Sequence, residues 1–273
     1  MIISSKSLSA LRVFFLGTVI LTMALLPKPA RATDLVFTAK AYDLGSDRSK
    51  VLFTVRNESE DRGDTKFFST VYSGPGGQQL VHETMEFAKS GDDLNLKWYR
   101  LEQLQLKSDG KIELTPGNAH FTYTKNGKTK TADEKIGDNF IVGPSLIRYI
   151  GKNWSDILAG KTIKTRFAVL ERLETVGFDF FKEKDGQLNG EKTVIVKMKP
   201  SSFVISALVD PLHFYFSEDG KKLHELYGRT AVKKEVDGKF KDLDAVIVYT
   251  LMSETQKPAS AAPTAAPGAG NSK

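Results

Sequence analysis

Hydrophobic and polar residues alternate along most of the chain, the two-residue period of a strand with one face buried and one wet. From 79 to 87, Val81, Glu83, Met85 and Phe87 fall on one side, and Leu80, His82, Thr84 and Glu86 on the other. The more apolar side of that strand is therefore mixed at Glu83. From 93 to 101 the same period sets Leu94, Leu96 and Trp98 against Asn95, Lys97 and Tyr99. Further strands are predicted over 35–42, 50–57, 65–73, 103–107, 111–114, 120–125, 128–136, 161–176, 176–184, 192–200 and 243–251. The turn residues between them include Leu44-Gly45-Ser46-Asp47, Ser73-Gly74-Pro75-Gly76-Gly77, Ser108-Asp109-Gly110 and Asn126-Gly127, the last being the strongest short hairpin signal in the chain. A late hairpin is predicted through Asp219-Gly220, with Phe216 opposite Leu223 and Phe214 opposite Glu225. That register groups Leu212, Phe214, Phe216, Leu223 and Tyr227, and leaves His213, Tyr215 and His224 on the other face. The run 201–209, too short for its period to decide, reads as a docked helix or a buried strand.

One stretch breaks the pattern. Within residues 139–160, Leu146, Ile150, Trp154 and Ile157 recur at helical spacing with Ile147 and Leu158 beside them, while Arg148, Lys152, Ser155 and Asp156 take the opposite side. Gly143-Pro144 interrupts what precedes it, Ser145 stands where an N-cap accepts a backbone N–H, and Gly160 stands where a left-handed residue ends a helix. A single helix against a long, one-sided antiparallel sheet implies a sheet that curls on itself with the helix as a plug. The fold class expected is mainly β: a curved antiparallel sheet or unclosed β-barrel of about ten strands with one or two plugging helices.

Residues 1–32 read as a targeting segment: Lys6 and Arg12 precede the apolar run Val13–Leu26, and Ala30-Arg31-Ala32 has the form of a cleavage site. The run is shorter than the roughly 20 residues that span a bilayer as a helix. Export to a periplasm is expected, with cleavage after Ala32, a single β-rich domain over 33–253, and an Ala/Pro-rich disordered tail over 254–273.

Charge follows from the leader. The chain has 39 Lys+Arg against 33 Asp+Glu; four of the bases and none of the acids precede Thr33, which leaves 35 against 33, or +2. The remaining bases are interleaved with acids, so nucleic acid is not an expected partner. Without cysteine there is neither a disulfide framework nor thiol chemistry. The four histidines, His82, His120, His213 and His224, lack the spacings of a compact metal motif. Pairs such as Glu83 with Glu86, or Glu171 with Glu174, fall on opposite faces of a strand and do not converge. No catalytic residue, metal or cofactor is expected, and the chain reads as non-enzymatic.

The leader, the meander of roughly ten strands, the inserted NFIVGPSLIRYIGKNW helix and the late FVISALVDPLHFYFSEDGKKLHELYGR segment together resemble a family of bacterial periplasmic proteins of unknown function. That family is similar in outline to the LolA/LolB lipoprotein-carrier fold, an unclosed barrel with helices at its mouth. The resemblance implies an apolar cavity for an acyl chain or other lipid-like ligand. It carries over no functional residue, because no motif matches. Two further readings stand beside a ligand carrier: an envelope structural or assembly factor that binds another protein, and an enzyme with convergent polar groups in a cleft. For the carrier, the cavity-lining candidates are Trp154, Tyr149, Ile150, Phe167, Trp98 and Phe214.

Overall fold

The computed structural model describes residues 33–91, 93–207 and 209–251. The targeting segment and the tail expected from the sequence lie outside these residues.

The described chain is one antiparallel meander, fifteen strands against the ten expected. The first half consists of β1 (Thr33–Asp43), β2 (Phe53–Asp61), β3 (Thr65–Ser73), β4 (Gln79–Ser90), β5 (Asp93–Gln103), β6 (Ser108–Thr115), β7 (Asn118–Lys125) and β8 (Lys128–Lys135). After the two-residue β9 (Phe140–Ile141) and the helices come β10 (Ile163–Val169), β11 (Glu174–Leu188), β12 (Glu191–Pro200), β13 (Leu212–Ser217), β14 (Leu223–Val236) and β15 (Lys239–Leu251). Strand order is β8 to β1 and then β15 back to β9, so the first and last long strands pair at the centre. Only β9 with β10 is parallel. The outer strands β8 and β9 are not joined by a backbone ladder. Glu134 of β8 instead reaches across to β11, accepting bonds from the Thr175 backbone N–H at 2.7 Å and its hydroxyl at 2.5 Å. The sheet is thus strongly curved and unclosed, and the lysines of β8 guard its free edge against further pairing.

Three hairpins turn through two residues of positive φ, Asn126-Gly127, Asn189-Gly190 and Asp237-Gly238, the backbone of the turn type that matches strand twist. The last of these makes residues 223–251 one long hairpin, of which 230–242 lay outside the predicted strands. Two other corners depart from the sequence reading. Ser108-Asp109-Gly110 is not a turn but the start of β6; the chain turns instead through a 3-10 turn at Leu104–Leu106 that ends on Lys107 at φ 51°. The strand expected over 161–176 breaks the same way, at Leu170–Arg172 with Leu173 at φ 58°. In both corners a non-glycine residue takes the left-handed conformation, which composition does not announce.

Bulges decide which residues face inward. In β5, Lys97 is extruded between the pairs Glu86↔Trp98 and Phe87↔Leu96. Leu94 and Leu96 face in, but beyond the bulge Tyr99 and Leu101 do, and Trp98 is turned outward, where its indole N–H donates to Glu86 at 2.8 Å. In β14 a bulge moves Phe214 opposite Leu226 and Tyr215 opposite Glu225, while Phe216 stays opposite Leu223. Leu226 therefore joins the inner face, and Tyr227 lies outside against Tyr215, ring centroids 5.0 Å apart. The β13–β14 connection is also longer than the two residues expected, running from Ser217 to Lys222.

The expected helix forms in two pieces, α1 (Leu146–Lys152) and α2 (Trp154–Leu158), divided at Asn153, whose side-chain amide bonds the Tyr149 carbonyl at 2.9 Å. Ser145 does not cap the helix; its hydroxyl turns back to Val142. Gly160 has the expected left-handed φ of 79°, and Gly160 N–H to Ile157 with Lys161 N–H to Asp156 closes the helix end in a Schellman arrangement. Ile150 and Ile157 are wholly buried against Phe180, Val196, Phe214 and Phe216, whereas Leu158 is 42% exposed. Arg148 and Lys152 tie the outer side of the plug to Asp93 at the β4–β5 turn. The run 201–209 contains the short helix α3 (Phe203–Ser206).

Candidate functional site

The curled sheet and its plug line a partly open cavity of about 740 Å³. Aromatic and aliphatic side chains such as Phe68, Phe87, Phe167, Phe178, Phe214 and Leu226 dominate its wall. This size falls within the roughly 300–1,000 Å³ of small-molecule sites. The outer face of the sheet carries ion pairs, among them Arg56–Glu58, Arg62–Glu60 and Lys111–Glu113. Apolar inside and charged outside is the reverse of a transmembrane barrel. Separately, among the described residues no helix is long and apolar enough to cross a membrane.

Across this apolar interior runs a polar row that register alone creates. Asn57 of β2 lies opposite Thr70 of β3, Thr70 opposite Glu83 of β4, and Glu83 opposite Leu101 of β5. Asn57, Thr70 and Glu83 are all buried, and the Asn57 amide donates to the Thr70 hydroxyl at 2.7 Å. Diagonal neighbours complete the group, since residues two positions off the direct pair lie within reach of long side chains. Tyr99 donates to one oxygen of Glu83 at 2.5 Å and Tyr72 to the other at 2.7 Å. Burial pushes the Glu83 carboxyl above the usual carboxylate range, and the two phenol bonds partly offset the rise. Both phenols are in turn pushed well above their ordinary value, by burial first and then by the neighbouring carboxyl. The start of the plug closes over the group, the backbone of Gly143 passing beside Glu83.

Gln103, the other diagonal neighbour of Glu83, is 6% exposed and borders the same cavity. Its amide N–H donates at 2.6 Å to the Ala231 carbonyl, which the irregular stretch of β14 between Arg229 and Lys233 leaves free of the ladder. Its own oxygen has no hydrogen-bond partner. Gln105, two residues on, fixes this crossing by bonding the Lys233 backbone in both directions, at 2.8 and 2.9 Å.

The six residues expected at a cavity are dispersed. Phe167 and Phe214 border it. Tyr149, Ile150 and Trp154 belong to the packed cluster beneath the plug, with Trp154 5.3 Å from Phe216 and its indole N–H on the Glu218 carbonyl at 3.2 Å. Trp98 is on the outer face. Of the polar group, Glu83 alone had left a trace in the sequence, as the acid on the apolar side of its strand. Tyr99 was hidden by the Lys97 bulge, and Tyr72, Asn57, Thr70 and Gln103 carry no local signal because cross-strand register assembles them.

No family model matches the chain, and no curated protein matches it. Solved structures do. A β-barrel-like protein of the domain-of-unknown-function family DUF1849 from Brucella abortus is 13% identical, covering 82% of this chain and 98% of that one, with a TM-score of 0.41. A DUF1329 family protein from Desulfovibrio piger is 8% identical over 81% of this chain and 85% of that one, with a TM-score of 0.24. A domain from Vibrio parahaemolyticus, described as an outer membrane lipoprotein-sorting protein domain, is 9% identical over 81% and 84%, also at 0.24. These include the two kinds of likeness expected from the sequence, proteins of unknown function and a lipoprotein-sorting domain. At such scores the function must be argued from this chain's own cavity.

Proposed function

We propose that the protein is an exported, periplasmic, non-enzymatic binding or carrier protein that holds an acyl-chain or other lipid-like ligand inside the curled sheet. The observation that carries this reading is the 740 Å³ apolar cavity. Interiors normally pack to the density of organic crystals, and an unfilled space of this size forfeits contacts that an apolar guest restores. The alternative, an envelope assembly factor that binds another protein by its sheet, calls for a filled core, and the cavity weighs against it. Glu83 points inward and Glu86 outward, so this pair does not converge as an acid and a base.

The test is binding of N-phenyl-1-naphthylamine, an uncharged, apolar, environment-sensitive fluorophore, to the detergent-free protein, in the wild type and in Leu101→Trp. Leu101 is partly buried, borders the cavity and lies opposite Glu83, so the larger ring takes up ligand space rather than displacing packed core. Saturable binding that Leu101→Trp weakens at least about tenfold without unfolding supports the reading. Absence of binding, or binding indifferent to the substitution, refutes it.

A further inference from the structure

The geometry points to a ligand with a hydrogen-bond-donating, positively charged head: an apolar body carrying an amine, its ammonium seated on Glu83 and Gln103. This inference rests on the carrier reading and adds the chemistry of the head group.

The polar atoms facing the cavity are chiefly acceptors. Both Tyr72 and Tyr99 spend their only proton on Glu83, leaving oxygen lone pairs. The Asn57 amide is turned to Thr70. The Gln103 oxygen is buried and unpartnered, and flipping that amide would set its oxygen against the Ala231 carbonyl, so an unpaired acceptor is fixed on a residue that borders the cavity. A buried, unpaired acceptor costs about 1–3 kcal/mol unless something donates to it. Glu83 differs: both its oxygens accept phenol protons, but no lysine or arginine is among the groups acting on it. The one basic side chain acting on it is His82, its neighbour in sequence, which lies on the opposite face bonded to Ser69 and Glu102. The other titratable groups packed against it are phenols: Tyr72 of β3, Tyr99 of β5 and, from β15, Tyr249. A buried carboxyl without a cation is an incomplete ion pair.

The cations that border the cavity do not supply one, and they do not favour an anionic head either. Arg148, Arg172, Lys221, Arg229 and Lys233 are each already held by an acid: Asp93, Glu174, Asp219, Asp244 and Asp242 respectively. A fatty acid carboxylate would thus find its countercharges occupied and would meet acceptors at the centre. An ammonium offers three donors, enough for a Glu83 oxygen, the Gln103 oxygen and one phenol. Where Glu83 is protonated in the empty protein, seating the ammonium expels that proton to solvent, so amine binding strengthens as pH rises through the Glu83 titration.

The experiment is isothermal titration of the detergent-free protein at pH 8 with dodecylamine, dodecanol and dodecanoic acid, each below its aggregation limit, repeated with Glu83→Gln and Gln103→Leu. The expected result is dodecylamine tighter than dodecanoic acid by about tenfold or more. That preference collapses toward unity in Glu83→Gln and shrinks in Gln103→Leu, and thermal unfolding verifies that both variants fold. Dodecanoic acid binding as tightly as the amine, or an amine preference that survives in a folded Glu83→Gln, overturns the head-group assignment while leaving the carrier reading intact. Binding by none of the three overturns both. The wild-type comparison decides even where a variant fails to fold.

Discussion

Tyr99→Phe removes one oxygen and nothing else from a packed site, which makes it a sensitive probe of the Glu83 group. The lost bond, 2.5 Å from the phenol to a buried carboxyl, is worth about 1.5–3 kcal/mol to a carboxylate and about 0.5–1.5 kcal/mol to a neutral acid. Its cost therefore depends on the charge state of Glu83. Burial holds the Glu83 pKa above its unfolded value, so the folded protein keeps this proton while the unfolded chain has lost it. The associated stability is fully present at low pH and is lost as pH rises through the folded pKa. Because the Tyr99 bond lowers that pKa, the variant's Glu83 titrates still higher and the variant loses more. The gap between wild type and Tyr99→Phe should accordingly widen, by about 1 kcal/mol, as pH rises through the Glu83 titration. Urea unfolding of both proteins across that range measures it, the depressed carboxylates elsewhere, such as Asp61 and Asp133, cancelling in the difference. A gap that narrows as pH rises would refute the assignment of a buried, proton-holding Glu83.

Two further predictions test the frame around the cavity. Glu225, 1% exposed on the outer face, depends on Arg48, which forks onto both its oxygens at 2.6 and 2.9 Å and also reaches the Tyr227 hydroxyl. Arg48→Ala leaves that carboxylate buried without its cation and should cost about 3 kcal/mol in chemical unfolding at pH 7; a loss under about 1 kcal/mol would contradict the pairing. Gly220 has φ 71° and lies under the Trp154 indole, where a Cβ would overlap the ring. Gly220→Ala should lower stability by more than about 1 kcal/mol and shift Trp154 emission to the red, and a neutral, spectrally silent variant would show that the tip of the β13–β14 hairpin does not pin the plug.

The sheet was readable because alternation and two-residue turns are local. Asn126-Gly127 joins β7 to β8 as its dipeptide foretells, and Asn189-Gly190 and Asp237-Gly238 carry the same signal, so the long β14–β15 hairpin was there to be read. What escaped was set by one-residue irregularities. Extruding Lys97 reverses every later residue of β5, turning Trp98 out and Tyr99 in. A bulge in β14 does the same to Glu225, Leu226 and Tyr227. Leu173 and Lys107 turn corners in a conformation usually left to glycine, so neither break was visible. The helix was evident from its apolar face, but Asn153 divides it through a bond to its own backbone. The polar group was least legible, because Asn57, Thr70, Tyr72, Glu83, Tyr99 and Gln103 come from four strands and meet only through register.

The central claim, that the cavity carries an apolar guest, is tested most directly by native mass spectrometry of the protein purified from a periplasmic fraction without detergent, followed by lipid extraction. The account predicts a second mass series displaced by one acyl-chain molecule at near-stoichiometric amount, and its loss in Leu101→Trp. A single apo mass with an empty extract, from protein that also fails to take up dodecylamine, would contradict it.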